Sequence, residues 1–119
     1  MNFFGHAVVA RWADARPEHA LGSMLPDFEA MTRVPLIEVR DEDIQRGIDL
    51  HHRTDDAFHR TDVFVAWTAA AFSALTKAGV RRGTARAVSH IGTEMFLDGW
   101  LAAQPTLADG YLAALELEA

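Results

Sequence analysis

Ile44, Ile48, His51, Asp55 and Phe58 follow one another at steps of four, three, four and three. An α-helix turns such a series onto one face. The same kind of stripe recurs as Ala87, His90, Glu94, Leu97 and Leu101, and again as Phe3, His6, Ala10 and Ala13. Three helical faces therefore carry His6, His51 with Asp55, and His90 with Glu94 where apolar residues are expected. Burying such groups alone costs several kcal/mol unless they are paired or bind a metal. The fold must bring them partners.

The punctuation between these stripes predicts an all-α, single-domain helical bundle over residues 1–119, with about five to seven helices. The first helix is expected from about Asn2 to Ala13, apolar over most of its circumference and hence buried. Pro17 and Pro26 suit the first turns of two short helices, 17–24 and 26–31. Pro35 makes Thr32 to Val39 a loop or extended connection. Asp41 reads as an N-cap for a helix over 42–59, with Glu42 and Asp43 in its first turn. Thr61 caps the next helix and Gly79 stops it. Thr84 caps a long helix ending near Ala103, and Pro105 opens a short last one carrying Leu107, Tyr111, Leu112 and Leu115. Trp12, Trp67 and Trp100 are expected in the core, His59 facing solvent at a helix C-terminus, and His19 in a short exposed helix without a role.

Composition narrows the function classes. The formal net charge is −6, whereas a nucleic-acid binder normally shows a basic patch. With no cysteine, thiolate metal sites, disulfides and thiol nucleophiles are excluded. No window approaches the roughly 20 apolar residues of a membrane span. The opening MNFFGHAVVARWADA lacks a basic leader and carries His6 and Arg11, unlike a signal peptide. A cytoplasmic protein is the expectation, with no nucleic-acid or membrane partner. The apolar first and final helices make a homodimer plausible.

Imidazole and carboxylate together, without thiolate, suit Mn, Fe, Zn or Ni, and Mg where carboxylates dominate. Helical bundles build metal sites in this way, from side chains on facing helices. A plain structural reading competes, with satisfied core histidines and His90–Glu94 as an intrahelical pair. Spacing alone supports a mixed His/carboxylate site and no particular reaction.

Four segments in order, MNFFGHAVVA at the N-terminus, ALGSMLPDF at 20–28, GIDLHHRTD at 47–55 and EMFLDGW at 94–100, resemble the acyl carrier protein phosphodiesterases, also called acyl carrier protein hydrolases. Their pattern is approximately MNFLAHLxLA, GNLLxDF, GIxxHRxID and DxxxDHFL followed closely by HW. The resemblance spans residues 1–100 and implies an all-helical fold distantly related to the HD-type metal-dependent phosphohydrolases. It also implies removal of the 4′-phosphopantetheine arm from holo acyl carrier protein with a divalent metal, typically manganese.

By this resemblance His6, Asp27, His51, His90 and Glu94 form the metal-ligand set. His90 and Glu94 stand where the pattern has aspartates, and Met95 stands where it has a histidine. Arg53 and Asp55 fall on polar positions of GIxxHRxID, His52 where it has its arginine. Asp55 or His59 could hold or deprotonate a water, and Arg53 could grip a phosphate with its fork. Arg53 could equally pair with Asp56 or Glu94, and Asp55 could orient a histidine. Because acyl carrier proteins are themselves acidic, the net charge favours a small phosphorylated substrate. The other readings are a non-heme iron enzyme acting on a small organic substrate, and a non-catalytic helical module that dimerises.

Overall fold

In a computed structural model the described residues, 1–117, form six helices and no strand. They are α1 (Phe3–Ala13), α2 (Pro17–Thr32), α3 (Glu42–His59), α4 (Asp62–Lys77), α5 (Arg82–Ala102) and α6 (Leu107–Leu115). None is long and apolar enough to cross a membrane. The expected all-α bundle is what forms.

Local signals explain most of the ends. The Asp41 carboxylate accepts from the backbone N–H groups of Asp43 and Ile44, opening α3. Thr61 caps α4 through the Phe64 N–H. Gly79, at φ +87°, takes the left-handed conformation that ends the chain's run past α4.

Tertiary packing overrode three expectations. The two short helices at 17–24 and 26–31 are one helix, α2, with Pro26 inside it. An interior proline costs about 3 kcal/mol, but α2 packs against α1, α3 and α6 at once, and burial along three faces offsets it. The long helix starts at Arg82, two residues before Thr84, with no side-chain cap. Pro105 lies in a turn, and α6 begins at Leu107 after Thr106 in the left-handed region.

The core sits where α1, α2 and α6 meet, around Ala7, Ala10, Ala20, Met24 and Ala114. A second cluster of Phe4, Val8 and Leu101 ties α5 to α1. The three tryptophans lie outside it, contrary to expectation. Trp12, Trp67 and Trp100 are each more than half exposed. For Trp67 and Trp100 the reason is topological: α4 packs on α5 and barely touches α3, so the α4–α5 hairpin projects from the bundle. The molecule measures 47 × 33 × 22 Å, with a radius of gyration of 15.6 Å, against about 13.5 Å for a compact domain of this length.

Two glycines set the α2–α3 contact. A Cβ on Gly22 would lie 2.1 Å from the Ile44 carbonyl oxygen, and one on Gly47 would lie 2.2 Å from that of His19. Backbone meets backbone there, so no side chain can give way. Gly47→Ala is expected to lower stability by about 1–3 kcal/mol or more. Gly83→Ala, where a Cβ meets nothing within 4 Å, should be neutral or slightly stabilising. Thermal unfolding of both variants checks the contact.

Candidate metal centre

The close α2–α3 approach places the Ser23 carbonyl against the ring of His51, with His51 Nδ1 2.8 Å from Ser23 O. A carbonyl only accepts, so Nδ1 carries the proton and Nε2 keeps its lone pair. The ring is fixed in the tautomer a ligand needs. Beside it stacks the imidazole of His6 from α1, with ring centroids 3.9 Å apart. Asp27 from α2 completes the group, and the ligand atoms of His6, Asp27 and His51 all lie within 4.8 Å of one another.

Two atoms of this inner triad are buried without a hydrogen-bond partner, His6 Nε2 and Asp27 Oδ2. The nearest carboxylate oxygen to His6 Nε2 is Asp55 Oδ1 at 3.5 Å, too far for a good hydrogen bond. Burial drives the electrostatics. It holds His6 and His51 below the ordinary histidine range, and for His6 the neighbouring His51 and the Met1 amine add to the effect. Both rings are therefore neutral near pH 7. Burial also pushes the Asp27 carboxyl up to about 6, helped by repulsion from Asp55, Glu94 and Asp98 against the Met1 amine. Neutral imidazoles beside a carboxylate short of positive charge fit a divalent cation.

A second group lies further out. His59 from α3 reaches across to α5, with Nε2 2.8 Å from Glu94 Oε1 and Nδ1 3.3 Å from Asp55 Oδ2. His90 Nε2 lies 3.1 Å from the same Glu94 oxygen. The ligand atoms of His59, His90 and Glu94 again fall within 4.8 Å of one another. The two triads meet at Asp55, which faces His6 through one oxygen and His59 through the other. The Met1 amine sits among them, 2.5 Å from Asp55 Oδ1 and 3.0 Å from Glu94 Oε1. Burial alone would raise both carboxyls. The amine and His59 outweigh it and hold Asp55 and Glu94 below their ordinary range. A positive group is therefore already accommodated between these carboxylates.

The expected ligands His6, Asp27, His51, His90 and Glu94 thus gather at one end of the bundle, but as two triads. Asp55 stands between them. His59 is no solvent-facing cap; it joins α3 to α5, one helical step beyond Asp55, and that i+4 step was its sequence signal. Asp98, i+4 from Glu94, accepts from the Gly5 N–H at 2.9 Å. It serves α1, whose N-terminus lacks a side-chain cap.

Arg53 does not join the site. Two residues from Asp55 is a rotation of about 200°, which turns Arg53 to the exposed face, where Nε donates to the Asp49 carbonyl at 3.4 Å. It lines a separate groove with Asp14, Asp49 and Arg46. His19 is buried rather than exposed, and its Nδ1 has no partner. Met95 points to solvent. Comparison with protein-family models, with curated proteins and with solved structures finds no match to this chain.

The raised Asp27 carboxyl has a signed consequence. Its folded pKa exceeds the unfolded value of 3.8, so the folded state holds the extra proton between about pH 4 and 6. Stability from this group is lost as pH rises through that window. In metal-free protein, Asp27→Asn should raise the melting temperature at pH 7 and change it little at pH 4. Parallel melts of wild type and variant at the two pH values check this.

Proposed function

We propose that this protein is a divalent-metal-dependent phosphohydrolase acting on phosphoesters. The observation that carries the reading is the inner triad, where two histidines and an aspartate converge and two of their polar atoms are buried without partners. A divalent ion held there supplies Lewis-acid polarisation of a phosphoryl oxygen and a water of lowered pKa. His6, Asp27 and His51 would hold it, with His59, His90 and Glu94 offering a second position. Manganese leads by the family resemblance; zinc, iron and magnesium are the alternatives.

The chain's own residues have distinct tasks. Ser23 fixes the His51 tautomer. Asp55, between the triads, holds a water by hydrogen bond or takes its proton, and His59 keeps the Asp55 carboxylate oriented. Substrate approaches from the outer triad, where the His90 side chain is 44% exposed. With Arg53 turned away, no guanidinium of α3 is placed to grip phosphate, and charge compensation falls to the ion. The net charge of −6 repels an acidic carrier protein and favours a small phosphorylated substrate over holo acyl carrier protein.

A second reading rests on one observation. Each triad is two histidines and one carboxylate, the donor set of non-heme iron oxygenases. Metal analysis of protein purified without an affinity tag separates the two. Bound manganese or zinc, with hydrolysis of a generic aryl phosphodiester, supports the first reading; stoichiometric iron with colour and no hydrolysis supports the second. No ion, with a melting temperature unchanged by chelator, would sink both.

The residue assignments have their own test. His51→Ala should abolish loading of the inner position, and His59→Ala or His90→Ala should weaken the outer one. Asp55→Asn is expected to keep an ion and lose about 100-fold or more in turnover. Normal metal content and turnover in His51→Ala would make the assignment wrong.

A further inference from the structure

α4 carries charge only at its ends, Asp62 and Lys77, with no charged residue between them. A helix apolar around its circumference is ordinarily buried, yet Phe64 is the single buried residue of α4. Val63, Ala66, Trp67, Ala70 and Ala74 are exposed on one continuous stripe. Across from it α5 presents Val88, Gly92, Phe96 and Trp100. Two hollows between these helices share Trp67, Thr93 and Phe96, so they form one apolar trough along the hairpin. Phe96 is 72% exposed, Val63 61% and Trp100 60%. An apolar surface this continuous marks an interaction site.

We propose that this trough is the interface of a two-fold symmetric dimer, in which α4 of one copy lies antiparallel to α4 of the other. Three features choose a second copy over other partners. The first is charge. α4 is about 24 Å long, and a two-fold axis across its middle brings each Asp62 to the partner's Lys77. Arg81 and Arg82 at the hairpin turn reinforce the basic end, and Arg60 at the other end is occupied by Asp56 at 2.7 Å. A lipid surface would instead call for basic residues along the flanks of the apolar face, and an acidic Asp62 end on a chain of net charge −6 opposes that.

The second feature is Gly92. A mid-helix glycine costs about 0.5–1 kcal/mol relative to alanine, and within one copy a Cβ there would meet nothing within 4 Å. With Ala70 and Ala74 across the trough, it leaves room for a second backbone to approach closely. The third is shape. The hairpin projects from the bundle, and pairing two hairpins completes a four-helix layer, in which each α4 gains the neighbours it lacks.

The test is the molar mass of the full chain in solution, by light scattering and sedimentation velocity at low salt, where exposed ion pairs are least screened. Wild type should weigh twice 13.1 kDa at micromolar concentration. Asp62→Lys and Lys77→Glu should each raise the dissociation constant about tenfold or more, since each sets like charges together twice. The combined D62K/K77E variant should restore the dimer. Trp67→Glu should be monomeric with unchanged helix content by circular dichroism. Gly92→Ala should weaken association although it stabilises an isolated helix. A wild type of 13.1 kDa across the concentration range would overturn the proposal. So would charge variants of unaltered mass, or a monomer that binds phospholipid vesicles through Trp67.

Discussion

Backbone contact between α2 and α3 is the constraint on which the rest of the molecule depends. Gly22 and Gly47 remove the side chains that would hold these helices apart, and the helices close until carbonyl oxygens sit where Cβ atoms would be. That proximity lets the Ser23 carbonyl reach His51 Nδ1, which fixes the tautomer and aim of the ring. It also brings Asp27 of α2 beside His51 of α3. A larger residue at either glycine would force α2 and α3 apart, and Asp27 from His51 with them.

The charges around that contact are arranged as a gradient of burial. His6 and His51 are nearly inaccessible and neutral, because burial disfavours their charged forms. Asp27 is pushed towards its protonated form for the same reason. Further out, Asp55 and Glu94 stay ionised because the Met1 amine and His59 lie against them. Groups with opposing shifts thus stand next to one another, as acid and base roles in hydrolysis require. The inner triad differs from the outer one in keeping two buried polar atoms, His6 Nε2 and Asp27 Oδ2, without partners.

The helical periods around the site were legible because steps of three and four leave little choice of face. His51, Asp55, His90 and Glu94 all sit where those steps placed them, and His6 lies on the buried side of α1. Their division into two triads was not legible, because it depends on the distance between α1, α2 and α5, and no local pattern encodes that distance. Asp27 follows Pro26, where local preference favours a helix start, and only packing on three neighbours keeps α2 continuous through it. A position at a helix end, where positive charge is favoured, points His59 to solvent; the neighbouring α5 offers it Glu94 instead. The tryptophans are expected in the core, yet each is more than half exposed. The hairpin that carries Trp67 and Trp100 lies beyond the bundle, so no helix covers their rings.

By itself the sequence determined the all-α class, the caps at Asp41 and Thr61 and the faces that carry histidine and carboxylate, since these follow from local hydrogen bonding and a period of 3.6 residues. It determined as well that no metal site can use a thiolate donor, there being no cysteine. Only the tertiary structure decided that α2 runs through Pro26, that His59 finds Glu94 on α5, and that α4 is left with an apolar face uncovered. Each of those outcomes is set by which helix lies beside which and how closely, a matter of steric fit between distant segments rather than of any residue's own preference.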